Sequence, residues 1–304
     1  MATLNIFIEN LVHDLLDSPQ HNNLGPGHSE RAWEDVVFGY SNGADELYSF
    51  WKQHIGEFHW TPLEAFSEGM TPEGLASGAA ARAVNGDATS SNSPRPQDLT
   101  VVTWVLSQTE STKAANRAEV EWPSEPWARA RIFGQSGSRA LHRALVEALA
   151  AEGYSAVAPG LLPQFAEVKS QGRPAASTWS ERHIAHTAGL GTFGLCGGLI
   201  TQLGKAVRLG SIIVEADIPS TSRGYSGAFD YCLHFNGGAC TSCVDRCPVG
   251  SVSEEGRDKQ ACARHLQDDT AGFVEREYGF KGYGCGLCQT GVPCESAIPV
   301  PSRR

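Results

Sequence analysis

Leu4, Ile8, Leu11, Val12 and Leu15 recur at the spacing that places them on one helical face. They predict an amphipathic N-terminal helix that docks on a core. The run Leu99-Thr-Val-Val-Thr-Trp-Val-Leu106 is apolar and β-branched almost throughout, which predicts a buried strand. Leu141, Leu145, Ala148 and Leu149 return to helical spacing, and Gly153 is expected to end that helix. Tyr154–Pro159 predicts a short strand. Thr178-Trp-Ser-Glu181 predicts a capping box opening a helix that stops at Ala188-Gly-Leu-Gly191. Arg208–Glu215 predicts a further strand. Strands alternating with helices argue for an α/β or α+β layered fold. The stretch 78–96, rich in Ala, Ser, Asn and Gly, is expected to be a surface loop.

Composition narrows this picture. A chain of 304 residues suggests roughly two domains. Hydrophobic residues at 41% suffice for a core, and charged residues at 19% exclude a disordered chain. The net charge of −10 repels phosphate backbones and no Lys/Arg run offsets it, which argues against nucleic acid as a partner. No apolar run is long enough to span a membrane. The first residues lack a basic region and a twin arginine, and carry Glu9 and Asp14, unlike a secretory signal. The expected compartment is the cytoplasm, where cysteines serve as thiols, metal ligands or catalysts.

Cysteine usage divides the chain. Cys196 stands alone, and the other eight lie between Cys232 and Cys294. The change predicts a second domain, with 1–224 preceding 225–304 and a linker around Pro219-Ser-Thr-Ser-Arg-Gly-Tyr-Ser-Gly227. The first motif is Cys232-x7-Cys240-x2-Cys243-x3-Cys247-Pro248, and the second is Cys262 followed by Cys285-x2-Cys288-x5-Cys294. Bacterial ferredoxins use Cys-x2-Cys-x2-Cys-x3-Cys-Pro, in which the fourth cysteine serves the other cluster. Gly237 occupies the position of the first cysteine of that run, so Cys232 is its expected substitute. The crossed pattern assigns Cys232, Cys240, Cys243 and Cys294 to one [4Fe–4S] cluster, and Cys247, Cys262, Cys285 and Cys288 to another. Zinc also uses Cys-x2-Cys pairs, but the x3-Cys-Pro ending favours iron–sulfur.

Cys240-Thr-Ser-Cys243-Val-Asp-Arg-Cys247-Pro-Val-Gly, Cys262-Ala-Arg-His-Leu and Gly284-Cys-Gly-Leu-Cys288 resemble the iron–sulfur half of epoxyqueuosine reductases and the related reductive dehalogenases. Glu181-Arg182, Ala188-Gly-Leu-Gly-Thr-Phe-Gly194 and Gly204-Lys-Ala-Val-Arg-Leu-Gly-Ser-Ile-Ile213 resemble segments upstream in the same family, so that the match covers about 98–300. The resemblance implies an α+β chain: a mixed-sheet αβα, nitroreductase-like core that binds a corrinoid, followed by a ferredoxin-like domain with two clusters. It implies cobalamin as cofactor, an external low-potential donor of the ferredoxin or flavodoxin type, and electrons passing through the clusters to cobalt. The positions that would meet the cofactor are Gly189, Gly191, Thr192, Phe193, Gly194, Cys196, Gly197, Gly198, Arg208, Gly210 and Ser211. Cys196 taken alone reads better as a small buried hydrophobe.

Three departures separate the chain from the tRNA-modifying branch. Ala175 stands where that branch carries its acidic proton donor, six residues before Glu181. The chain ends at Arg304, where a helical-repeat extension is usual, and Cys288-Gln-Thr-Gly-Val-Pro-Cys294 replaces the usual ending. The expectation is therefore a cytoplasmic oxidoreductase that dehalogenates or deoxygenates a small molecule. The alternatives are a tRNA-acting epoxyqueuosine reductase and a corrinoid-free electron carrier. With Ala175 unable to donate, the candidate acids are Glu181 and His183 on the helix beside the glycine loop, and Tyr225 and Tyr231 at the junction.

Overall fold

The computed structural model describes residues 3–84, 94–170, 173–238 and 240–300. Its strands are β1 (Trp33–Asn42), β2 (Ala80–Ala81), β3 (Thr100–Gln108), β4 (Ala156–Val157), the pair β5 (Glu167–Ser170) and β6 (Arg173–Ser177), the pair β7 (Gly191–Phe193) and β8 (Leu199–Thr201), β9 (Val207–Val214), and the pair β10 (Val252–Ser253) and β11 (Gly256–Arg257). Five of them form one sheet in the order β1-β3-β9-β4-β2. The buried run is β3, an interior strand between β1 and β9, and every one of its residues is withdrawn from solvent.

A mixed sheet was expected, but all its ladders among the described residues are antiparallel. The registers give the reason. Asn42 at the end of β1 pairs with Thr100 at the start of β3, and Ser107 near the end of β3 pairs with Val207 at the start of β9. Each long excursion thus re-enters the sheet beside the point where it left, and the next strand runs back.

Alternate side chains of a strand point to opposite faces. Val102, Trp104 and Leu106 of β3, with Ile212 and Val214 of β9, pack against Ile8, Val12 and Leu16 of the N-terminal helix Leu4–Asp17 and against Leu141, Leu145 and Leu149 of the helix Gln135–Ala151. Leu99, Val101 and Ile213 face the other way, onto Tyr48, Phe66, Trp179 and Ile184. Helices therefore cover both faces of a mixed α+β structure. Leu145 is 0% exposed. Leu145→Ala is expected to cost ~2–5 kcal/mol of stability, read as a lowered urea midpoint under anaerobic conditions.

The capping box expected at Thr178 is not formed. The helix Glu181–Thr187 starts after Ser180, which makes no side-chain cap. Thr178 Oγ1 instead accepts from the Ala166 N–H at 3.2 Å, and the Glu181 carboxylate turns to Ser211. The helix ends at Ala188, and Gly189 follows with φ +82°, a left-handed turn that suits glycine. Of the expected loop 78–96, Ala80–Ala81 is the sheet's edge strand, and 85–93 lies outside the described residues.

The junction is stitched to the sheet. Thr221 N–H donates to the Tyr40 carbonyl at 2.9 Å, Tyr40 N–H donates to Thr221 Oγ1 at 3.0 Å, and Arg223 pairs with Asp45 at 2.7 Å. Beyond it, the cysteine-bearing segment shares a core with the β7–β8 hairpin, in which Leu195, Cys196 and Ile200 pack with Cys232, Cys243, Val252 and Val292. The N–H groups of Lys205 and Ala206 both donate to the Glu295 carbonyl. Asn116 binds the Cys285 carbonyl and Thr290 Oγ1, and Arg117 is ion-paired with Glu295. The cysteine segment is thus built onto the hairpin and onto the helix Glu110–Ala118.

Candidate functional site

All nine cysteines are free thiols. Cys232, Cys240, Cys243 and Cys294 line one small cavity together with Gly194, Leu195, Ile200 and Lys205. Cys243 is carried on the short helix Ser242–Asp245. The second group forms around Cys285, whose thiol is pushed up to about 11, first by burial and then by the neighbouring Cys262 and Cys247. Cys262 sits on the helix Lys259–Arg264, which Asp258 caps by accepting from the N–H groups of Gln260 and Ala261. Gly286 has φ +69°, and a Cβ there would lie 2.0 Å from the Trp127 ring, so only glycine permits the turn from Cys285 to Cys288.

Donors are aimed at these sulfurs. Arg257 Nη2 lies 2.8 Å from Cys262 Sγ, Ser251 N–H donates to Cys247 Sγ at 3.2 Å, and Lys205 Nζ lies 3.3 Å from Cys196 Sγ. Thiols met by N–H groups and cations suit an anionic iron–sulfur cluster, whose charge such donors stabilise. Among the described residues, no three His, Cys, Asp or Glu side chains are grouped to hold a single metal ion.

Beside the cysteines opens a cavity of about 550 Å³, within the ~300–1,000 Å³ usual for ligand sites. The sulfur end of its wall holds Cys196, Gly198, Lys205 and Cys288; Trp179, Glu181 and Arg208 also line it. Trp179 Nε1–H donates to Ser211 Oγ at 2.9 Å, and Ser211 Oγ–H donates to Glu181 Oε2 at 2.7 Å. Burial raises the Glu181 carboxyl to about 7, against smaller opposing effects of Ser211 and Arg208. Glu181 can therefore hold a proton near neutral pH and give it up within the cavity.

The other expected acids are placed differently. His183 accepts or donates a 2.7 Å hydrogen bond with Ser180 and packs on Trp51 and Phe193; burial first, then Arg182, depress it to about 3, which keeps it neutral. Tyr225 donates to the His186 carbonyl and stacks on that ring, and Tyr231 meets Tyr225 edge-on. Only Glu181 of the four lines the large cavity. The side chain of Ala175 lies outside the described residues.

The glycine loop divides between packing and lining. A Cβ at Gly191 would lie 2.3 Å from the Ile200 carbonyl, and one at Gly210 2.7 Å from the Trp104 ring, so both permit close packing. Gly189 approaches the Ser222 carbonyl, Gly197 takes a left-handed φ of +73°, and Gly194 faces the cysteine cavity. Thr192 Oγ1 accepts from Tyr231 N–H, and Phe193 joins the His183 and His186 cluster. Cys196, Gly198 and Arg208 reach the large cavity directly, and Ser211 acts through Glu181. Cys196 is buried as a small apolar residue would be, yet it also faces Lys205. Sequence reasoning missed Lys205, Arg131, Arg139, Arg182, Arg257 and Tyr283, which line the cavity from five separated segments and share no motif.

No protein-family model matches the chain. Comparison with curated proteins finds over part of the chain a similarity to epoxyqueuosine reductases, one of the two groups its motifs resemble. The curated relatives are all epoxyqueuosine reductases. That of Bacillus anthracis is 33% identical over 120 residues, which is 38% of this chain and 29% of the relative. That of Staphylococcus aureus is 35% identical over 129 residues, 39% of this chain and 30% of the relative. The match thus spans under a third of the relatives' length. Among solved structures, an epoxyqueuosine reductase with an epoxyqueuosine-modified tRNA stem loop aligns over 96% of this chain and 67% of that one, with 16% identity and a TM-score of 0.43. The expectation of a small-molecule substrate and no nucleic acid is corrected by the curated relatives, which carry the name epoxyqueuosine reductase, the branch from which that expectation had separated the chain. The net charge of −10 averages the whole chain and does not report the basic side chains that line the cavity. No helix among the described residues is long and apolar enough to cross a membrane.

Proposed function

We propose that this chain is an iron–sulfur oxidoreductase of the epoxyqueuosine reductase type, acting on an epoxide-bearing nucleoside of tRNA. One cluster is held by Cys232, Cys240, Cys243 and Cys294, the other by Cys247, Cys262, Cys285 and Cys288, within a ferredoxin-like segment that follows a nitroreductase-like core. The observation that carries the reading is that Cys288 and the protonatable Glu181 line the same cavity. Deoxygenating an epoxide to an alkene consumes two electrons and two protons and releases water. An external low-potential donor supplies the electrons through the clusters, Glu181 supplies one proton and solvent water the other. Gly198, Trp179 and Leu209 offer the wall against which a corrinoid would lie, and that cofactor would supply the electron-rich centre for the reduction. Ser211 and Trp179 hold the Glu181 carboxyl in place. The test is to analyse tRNA nucleosides from a strain lacking the gene, and to assay the anaerobically purified protein on that tRNA. Accumulated epoxyqueuosine, cleared by the purified protein, supports the reading; unchanged tRNA in both arms rejects it.

Lys205 is 3% exposed and lines both the cysteine cavity and the large one. Burial opposes its charge, but the surrounding Cys196, Cys294, Cys288 and Cys243 raise its pKa. An ammonium there stabilises a cluster after it gains an electron. Lys205→Met is expected to shift the one-electron reduction equilibrium at least tenfold toward the oxidised state, ~59 mV. Redox titration followed by electron paramagnetic resonance reads this directly, and Lys205→Arg should retain most of the wild-type potential.

A further inference from the structure

Six basic side chains line the large cavity, Arg131, Arg139, Arg182, Lys205, Arg208 and Arg257, against two carboxylates, Glu167 and Glu181. Among the described residues none of the six is ion-paired with a carboxylate, whereas eight basic residues elsewhere are. Unpaired charge is costly to withdraw from water, so the cations of this group that are removed from solvent need a counter-charge. Sulfur accounts for part of it. Lys205 meets Cys196 and Arg257 meets Cys262, while Arg182 donates to the Gly197 carbonyl and feels Cys196 and Cys262.

Among the described residues, Arg131, Arg139 and Arg208 meet no sulfur. Arg131 donates to Tyr283 Oη at 3.0 Å and lies over that ring, 4.9 Å from its centre, which fixes the guanidinium without neutralising it. Arg139 and Arg208 meet no hydrogen-bond acceptor among the described residues. Arg208 is lowered to about 9, by burial first and then by Arg131, with Arg139 adding to this against opposing effects of Tyr283 and Glu181, so both other guanidinium groups disfavour its charge. Such a cluster favours the ligand that relieves it. Guanidinium forks match the paired oxygens of phosphate, and their charge matches a phosphate anion.

We propose that Arg131, Arg139 and Arg208 form a phosphate-binding site in the wall of this cavity. The identity of the ligand rests on the reading above, but the charge of the site does not. Two sources share this chemistry: a phosphodiester of the RNA substrate, and the phosphodiester in the nucleotide tail of cobalamin.

The first measurement is calorimetric binding of inorganic pyrophosphate to the anaerobically purified holoprotein. Arg208→Gln and Arg139→Gln are each expected to weaken it at least tenfold, with Arg208→Lys intermediate because it keeps charge and loses the fork. Arg276→Gln, on an exposed residue outside the cavity, should bind as wild type. Arg139 is exposed at the cavity mouth, so its variant carries the test if Arg208→Gln does not fold. The second measurement separates the sources. Loss of cobalamin binding without loss of cobinamide binding, which lacks the phosphate, assigns the site to the cofactor. Weaker binding of a tRNA stem loop with a shallower salt dependence assigns it to RNA. Unchanged binding of pyrophosphate, cobalamin and stem loop in both variants overturns the site. A wild-type protein that lacks clusters yet loses pyrophosphate binding on substitution would reject the proposed function and keep the anion site.

Discussion

Glu181→Gln is expected to lower turnover by ~10²–10⁴-fold, the usual contribution of a placed proton donor, while both clusters remain. The amide keeps the shape of the side chain and can still accept from Ser211, but it has no proton to give. The pH profile should carry the same signature. Burial raises this carboxyl from 4.5 to about 7, so the acid form persists up to neutrality and the wild-type rate should fall as pH rises through about 7. Stability moves with it. The folded state disfavours the carboxylate, so the stability associated with the neutral group is full below the unfolded pKa and is lost as pH rises through the folded one. Glu181→Gln should therefore melt higher than wild type at pH 8 and no higher at pH 4. A variant that turns over at the wild-type rate on authentic tRNA would remove Glu181 from the chemistry.

Substituting a single thiol should cost a whole cluster, and in a crossed pattern. Anaerobically purified protein is expected to hold about eight irons, and Cys294→Ser about four. The cluster lost should be the one shared with Cys232, Cys240 and Cys243, which line one cavity with Cys294, rather than the one near its sequence neighbour Cys288. Cys247→Ser should damage the other cluster. Either change should abolish turnover by cutting the electron path. Cys196→Ser should retain all the iron, since this thiol faces Lys205 between the two groups. Stoichiometric zinc, or four irons in the wild type, would reject the two-cluster assignment.

Local pattern was legible wherever it depends on neighbours in the chain. The amphipathic spacing from Leu4 to Leu15, the buried run at β3 and the helix ending before Gly153 follow from side-chain periodicity and the conformational freedom of glycine. The strand β1 carries a weaker pattern, with exposed Glu34 and Asp35 at its start, and sequence reasoning passed over it. Thr178 and Glu181 satisfied the spacing of a capping box, but Ser211 on β9 and the Ala166 N–H offered them other partners. The antiparallel sheet depended on where two long excursions re-enter it, which periodicity does not encode.

The sequence by itself determined which residues could bind a soft metal, because thiol chemistry and short cysteine spacings are properties of the chain. Its motifs also carry the similarity to epoxyqueuosine reductases. Only the tertiary structure decided which acid meets the cavity, because burial beside Trp179 and Ser211 sets the position and proton affinity of Glu181, while His183, hydrogen-bonded to Ser180 at 2.7 Å, turns into an aromatic cluster. It also decided the charge of the site. Arg131, Arg139 and Arg208 are dispersed among neutral neighbours in a chain of net charge −10, and folding alone brings their guanidinium groups to one cavity, where distance rather than total charge governs what can bind.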